Sequence, residues 1–250
     1  LFLIPKKAGG LIDDTRGISV TNGDNRIVAS AFAEAITPAL QSFIGVDQKG
    51  FVRGREGAGH VHALTNSFYA KLSKKEQQYI LLLDMKRAFD SVAHQFIHAC
   101  LNHFGFPGWF CRAIVGLLHQ VTIFPVLAKR TKHRIDIWKG VKQGCPLSPL
   151  LFIICFEVLL RLLRAKSARL HLYAFADDLA TAVGSFTLLL RTLAVVSRFS
   201  TFSGLFMNLL KTVIVATLPP SRRVQARLTA SPWAEVKFAN SAKYLGVLVG

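Results

Sequence analysis

Cysteine is scarce in this chain of 250 residues, and acidic residues are outnumbered by basic ones. The four cysteines, Cys100, Cys111, Cys145 and Cys155, form no C-x-x-C pair and have no histidine spacing of the zinc type. That excludes the common structural zinc modules and reads as the usage of a reducing compartment, the nucleus or cytoplasm. Only 14 Asp+Glu stand against 31 Lys+Arg, a formal charge of +17. Such a field favours polyanions, nucleic acid or an anionic membrane surface, although charge alone is also compatible with a basic protein that has no specific partner. Internal repeats, low-complexity tracts, Ser/Gly-rich linkers and a secretory signal are all missing. So is a long apolar run: the stretch from Leu147 to Leu163 is interrupted by Glu157 and Arg161, too short and too charged for a membrane span, and reads as a buried helix. Leu1, where Met is expected, reads as the start of a fragment of something longer.

What is present is a folded, apolar composition, 51% hydrophobic with 18% charged residues, long enough for one large domain or two interlocked ones. Residues 1–78 are basic and turn-rich, with helices expected at Ile27–Phe43 and Gly59–Leu72. From Tyr79 onward, short apolar runs that end at acidic residues alternate with longer helical patterns, which predicts α/β or α+β layering. The chemistry is expected in this second part.

Three runs carry that chemistry. In the first, Tyr79-Ile-Leu-Leu-Leu reads as a strand buried on both faces, with Asp84 at its end. Either Asp84 is functional, or it precedes a helix expected over Ser91–Phe104, for which Asp90 is the better N-cap. In the second, alternation across residues 170–183 predicts a hairpin with Asp177 and Asp178 at its turn. Two like charges among apolar neighbours call for a cation, and Mg²⁺ with its preference for hard oxygen ligands is the natural one; a solvated acidic turn is the bland alternative. In the third, Gly140, Gly144 and Pro146 set a turn-rich loop before Ser148-Pro149, an N-cap followed by proline at the first helical position, with the helix running to about Ala165.

Taken together, these runs resemble the reverse transcriptase family, specifically that of non-LTR retrotransposons. The resemblance rests on Leu83-Asp84 with Ala88-Phe89-Asp90-Ser91, on Gln143-Gly-Cys-Pro146-Leu-Ser148-Pro with its apolar helix, and on Phe175-Ala-Asp177-Asp178. Ser203-Gly-Leu with Asn208 and Lys211, and Lys243-Tyr244-Leu245-Gly246, look like the family's later motifs. Leu3 to Lys7, Arg16, and Gln48-Lys-Gly50-Phe51 with Arg53 and Arg55 look like its fingers segments. The resemblance implies an α+β right-hand polymerase, with fingers over 1–78 and a palm over 79–250 that is interrupted by a fingers segment near 105–140. An antiparallel palm sheet would pack on helices, and the thumb would be absent.

It further implies an RNA-directed DNA polymerase with an RNA template, a DNA primer, dNTP and two Mg²⁺ ions, for which Mn²⁺ could substitute. Asp84, Asp177, Asp178 and Lys211 would be catalytic, Asp178 in a supporting role and Lys211 as general acid. The metal set would be Asp84, Met85, Asp177 and Asp178. Phe89, Arg16, Arg53, Arg55, Gln143 and Gly144 would face the nucleotide, with Phe89 excluding a ribose 2′-hydroxyl unless it is simply a core residue. Lys6, Pro146, Ser148, Tyr244, Leu245 and Gly246 would contact template or primer. Two departures from the pattern are Gly17, where proline is common and whose presence is expected to loosen a turn, and Ile153, where asparagine is common. They keep open an inert nucleic-acid-binding relic. An RNA-dependent RNA polymerase is the other alternative, although Gly-Asp-Asp is its usual motif.

Overall fold

Alternating apolar runs and turn signals become helices and short strands in the computed structural model, which describes residues 2–5, 15–119, 121–124, 126–127, 130–131 and 134–250. The chain begins with β1 (Phe2–Pro5), β2 (Thr15–Ile18), α1 (Gly23–Phe43), α2 (Ala58–Ser73) and β3 (Tyr79–Leu83). Next come α3 (Ala88–Ser91), α4 (His94–His103) and α5 (Gly108–Leu118). The short strands β4 (Val121–Ile123), β5 (Val126–Leu127), β6 (Arg130–Thr131) and β7 (Ile135–Ile137) precede the long α6 (Ser148–Arg164). Then follow β8 (His171–Phe175), β9 (Asp178–Val183), α7 (Phe186–Ser203), β10 (Val213–Ala216), α8 (Arg222–Thr229), β11 (Lys237–Ala239), β12 (Ala242–Tyr244) and β13 (Val247–Val249).

These elements group into two compact units, Leu1–Phe43 with Arg87–Cys155, and Ile44–Lys86 with Phe156–Gly250. The chain changes unit three times, after Phe43, Lys86 and Cys155, and none of these boundaries lies at residue 78, where the division between fingers and palm was expected. No helix among the described residues is long and apolar enough to cross a membrane.

The second unit is built on a five-stranded sheet of order β11-β10-β3-β9-β8. Central β3 runs antiparallel to both β9 and β10, and all five of its residues are buried, as its unbroken apolar run predicts. Alternate side chains sort to opposite faces. Ile80, Leu82, Ala180, Ala182 and Val215 form one buried layer with Leu64 and Phe68 of α2 and with Tyr244 and Val249. On the other, Tyr79 packs its ring 5.7 Å from that of Phe186, the first residue of α7. Burial of both faces pins the register, since a slip of one residue would exchange every side chain between them.

The first unit carries α1, α3, α4 and α5, a sheet of order β2-β1-β5-β6 and the β4-β7 pair. Here the local expectations needed correction. The helix expected over Ser91–Phe104 starts only at His94, because Val92 and Ala93 are extended. Val92 accepts a hydrogen bond from the Gly140 amide (2.7 Å) and Ala93 bridges to Lys139, so distant backbone outcompetes local helix. Asp90 therefore lies inside the short α3 and is not a cap. Ser148 is the first helical residue of α6: the Leu151 amide bonds to the Leu147 carbonyl (3.1 Å), which moves the cap position to Leu147. Proline one position further in still leaves no amide without a partner, because the first turn has none to offer. Gly17 lies within β2 opposite Leu3, not in a turn.

Candidate functional site

The sheet of the second unit brings the expected carboxylates to one end. Leu83 pairs with Leu179, so Asp84, the next residue, stands at the level of Asp178. Phe175 pairs with Asp178, which leaves Ala176 and Asp177 as a two-residue turn. Ala176 has a φ of +56°, a value that hairpin turns usually assign to glycine. The carboxyl of Asp178 is pushed up to about 6, first by burial and then by the charges of Asp177 and Asp84. Asp178 thus feels the field of the other two. As placed, no three Asp, Glu, His or Cys side chains among the described residues are gathered closely enough to hold a metal ion. The donor set itself, hard anionic oxygens in mutual repulsion, suits Mg²⁺.

Asp84 is held from the other side of the sheet. Its amide donates to Thr212 Oγ1 (3.3 Å) and its carbonyl accepts from the Asn208 amide (2.7 Å). The Lys86 amide donates to the Phe206 carbonyl, and Met85 bridges to Met207. The Met85 side chain is buried, and a thioether is a poor ligand for a hard cation, so its main-chain carbonyl is the group it could offer. Lys211 is exposed and lies two residues before β10, whose Val213 pairs with Leu82. Continued register carries Lys211 to the same end of the sheet as Asp84.

The β12–β13 hairpin turns at Leu245 and Gly246, with φ values of +48° and +83°. Two positive φ values in sequence match the type I′ turn that suits the twist of paired strands. Tyr244, buried, donates its hydroxyl to the Tyr173 carbonyl of β8 at 2.9 Å. Burial, followed by the charge of Asp178 and by Tyr173, keeps that hydroxyl protonated well above the usual range. The hairpin expected to contact primer is thereby tied to the strand that leads into the carboxylate turn.

Other expected residues belong to the first unit. The Phe89 ring stacks on Phe152 of α6, centroids 4.7 Å apart. The Phe89 carbonyl accepts from the Val141 amide (2.7 Å), and His94 Nε2 donates to the Gly140 carbonyl (2.8 Å), so residues 139–141 strap onto 89–94. Gly140, at φ +83°, leaves no room for a side chain, because a Cβ there would lie 2.6 Å from the Asp90 carbonyl. Gln143 Nε2 approaches Asp90 Oδ1 at 3.4 Å, and the Gln143 carbonyl accepts from the Ser19 amide (2.9 Å). Gly144, at φ +108°, faces the Ser19 carbonyl so closely that a Cβ would come within 2.6 Å of it. Pro146 is half-buried and Ser148 is buried.

Among the expected nucleotide contacts, Arg53 is exposed, while the Arg55 guanidinium donates to the carbonyls of Ile44, Gly45 and Gln48 and so acts as a strut in its own loop. Arg16 pairs through its backbone with Ile4, its side chain lying outside the described residues, as does the whole of Lys6. Sequence reasoning gave no individual role to two polar groups of the second unit. Gln48 is fully buried against Ala176, and Glu157, also buried, accepts from Arg161 Nε (3.2 Å) and Arg164 Nη1 (3.0 Å). Arg164 also pairs with Asp47. A glutamate followed by Arg161 and Arg164, four and seven residues on, was a readable signal for the second; the first was marked only by its place in the Gln48-Lys-Gly50-Phe51 segment.

Known proteins resemble this chain over most of its length. The profile of the family described as reverse transcriptase (RNA-dependent DNA polymerase) matches residues 4–249. Over 226 residues the chain is 29% identical to a retrovirus-related Pol polyprotein from type-1 retrotransposable element R2 of Popillia japonica, covering 86% of this chain and 31% of that protein. It is 29% identical over 188 residues to the transposon TX1 uncharacterized 149 kDa protein of Xenopus laevis, covering 71% of this chain and 14% of that one. The chain thus spans less than a third of either relative. Its fold is similar to apo telomerase from Candida tropicalis truncated from the C-terminal domain, with a TM-score of 0.60 at 15% identity over 89% of this chain and 43% of that one. A mixed helix-and-sheet fold, an acidic trio at one sheet end and a profile match over nearly every residue lead to one conclusion: the chain belongs to the reverse transcriptase (RNA-dependent DNA polymerase) family.

Proposed function

We propose that this chain carries the polymerase centre of a non-LTR retrotransposon reverse transcriptase, which extends a DNA primer on an RNA template with deoxynucleoside triphosphates. The observation that carries the reading is the sheet register that brings Asp84, Asp177 and Asp178 to one end, with Asp178 titrating in the field of the other two. When bound there, a pair of Mg²⁺ ions would supply activation of the primer hydroxyl and neutralisation of triphosphate charge. Asp84 and Asp177 would be the main ligands, with Asp178 in support and Met85 offering its carbonyl.

The remaining residues bind and orient. Lys211, exposed, would give a proton to the leaving pyrophosphate. Phe89 offers a ring that a 2′-hydroxyl would meet, and Gln143 and Gly144 offer loop backbone to the nucleotide or template. Lys6, Arg16 and Arg53 supply positive charge toward phosphates, while Pro146, Ser148 and the Tyr244-Leu245-Gly246 turn are the template and primer contacts. The second unit corresponds to a palm and the first to much of the fingers. Work on genomic and transcribed nucleic acid fits the nucleus or cytoplasm. Primer extension on an RNA template with Mg²⁺ or Mn²⁺ is the test: dNTP incorporation lost in Asp177→Asn supports the reading, and incorporation that survives it, or that prefers ribonucleotides, overturns it.

A further inference from the structure

Ala176, the first residue of the two-residue turn and the neighbour of Asp177, is an L residue in the left-handed region. That conformation is disfavoured for any residue with a Cβ and persists only where the surroundings enforce it. The enforcement comes from Gln48, 128 residues earlier and fully buried. The Ala176 amide donates to Gln48 Oε1 at 2.9 Å, and the Ala176 carbonyl accepts from Gln48 Nε2 at 3.1 Å. Oε1 also accepts from the Gly50 amide at 2.8 Å. With two donors aimed at the oxygen and a carbonyl aimed at the nitrogen, only one orientation of the carboxamide fits.

No other side chain reproduces this clamp. Glutamate has no donor when ionised, asparagine is one methylene short, and methionine fills the volume without polar atoms. The backbone reinforces it: the Lys49 amide bonds to the Ala174 carbonyl and the Ala174 amide to the Asp47 carbonyl, both at 2.9 Å, so Gln48 forms an isolated parallel bridge to Ala174 of β8. Gly50 approaches so closely that a Cβ would lie 2.2 Å from the Ala176 nitrogen. Arg55 braces the loop from behind through the Gln48 carbonyl.

We infer that Gln48 is a positioning residue for the Asp177-Asp178 turn: by holding both polar atoms of Ala176, it sets the peptide plane that leads into Asp177 and hence the angle at which the turn presents its carboxylate oxygens to a divalent cation. It touches neither substrate nor metal. The inference rests on the polymerase reading for its catalytic consequence, and on the hydrogen bonds alone for its effect on the carboxylates.

The test compares Gln48→Met with the unsubstituted full-length protein in three measurements: Mn²⁺ affinity by electron paramagnetic resonance, kcat and KM for dNTP, and thermal denaturation. Residues that orient metal ligands typically carry about 10–100-fold in affinity or activity. Expected are a Mn²⁺ dissociation constant raised about tenfold and a kcat lowered by at least as much. The KM for dNTP should stay within about twofold and unfolding should remain cooperative, since the triphosphate contacts lie elsewhere. If Gln48→Met does not fold, Gln48→Asn, polar but too short, is expected to show the same split at smaller size. Unchanged Mn²⁺ affinity in a folded variant overturns the inference, as does a loss expressed in KM with kcat intact. Weakened Mn²⁺ binding together with no primer extension by the unsubstituted protein upholds the role of Gln48 and overturns the polymerase reading instead.

Discussion

Acidification should unlock the second unit through a single histidine. His60 of α2 is 7% exposed, its ring meets that of Tyr173 edge-on with centroids 5.4 Å apart, and its Nδ1 has no hydrogen-bond partner. Burial, and secondarily the charge of Lys49, lowers its pKa from the ordinary 6.5 to about 4, against a weaker opposing pull from Asp47. The folded protein therefore binds fewer protons at this site than the unfolded chain between those two values. The stability of the neutral form is fully present above pH 6.5 and is lost progressively as the pH falls towards 4. At ~1.4 kcal/mol per pH unit the whole interval is worth about 3 kcal/mol, an upper figure because relaxation and water entry would soften it.

That is a large share of the ~5–15 kcal/mol that holds a typical domain together. Urea denaturation from pH 4 to 8 measures it, with His60→Gln as the comparison, since glutamine does not titrate. The unsubstituted protein should lose about 3 kcal/mol more than the variant on going from pH 7 to pH 4, all of it below pH 6.5. Equal slopes for the two proteins, or an imidazole that titrates near 6.5 in the folded state, would refute the reasoning. Tyr173 also receives the Tyr244 hydroxyl through its carbonyl, so the same protonation should loosen the hairpin that is docked there.

Three further outcomes follow from the geometry. Phe89→Val should relax discrimination between deoxyribonucleotides and ribonucleotides by tenfold or more in competitive incorporation, while preserved discrimination would leave Phe89 as a core partner of Phe152. Arg164→Ala removes a shared cation from buried Glu157 and from Asp47, and should cost about 3 kcal/mol in chemical denaturation, the low end for a broken buried pair because Arg164 is itself partly exposed. Tyr244→Phe deletes the donor to the Tyr173 carbonyl and should cost about 1 kcal/mol, with primer affinity lowered and dNTP affinity unchanged.

Much of the site was legible because its signals are local. Five apolar residues ending at Asp84 can hardly be anything but a doubly buried strand, and alternation on both sides of Asp177-Asp178 specifies a hairpin. The misplaced start of α4 has a physical cause, backbone partners far away in sequence. Val92 and Ala93 leave the helical path to meet Gly140 and Lys139, and nothing within ten residues announces it. Arg55 resembles a phosphate ligand by its place in the motif, yet its guanidinium donates to three carbonyls of its own loop. Ile153, a departure from the family pattern, is fully buried. An asparagine there would need partners for its amide, whereas isoleucine needs only packing, so the substitution is compatible with an intact core.

A division of labour follows between what the hydrophobic pattern determines and what single polar groups determine. Apolar burial on both faces of β3 sets which residues reach the end of the sheet, because any slip would bury Asp84 or expose leucines. It does not set the orientation of a carboxylate once there, since a two-residue turn can rotate its peptide planes without disturbing the strands. That last degree of freedom is restrained by buried and half-buried hydrogen bonds: Gln48 on Ala176, Thr212 on the Asp84 amide, Tyr244 on the Tyr173 carbonyl. Each such group contributes modestly to stability but a great deal to angle. A variant that keeps every apolar residue and loses one of these clamps should therefore stay folded and work poorly.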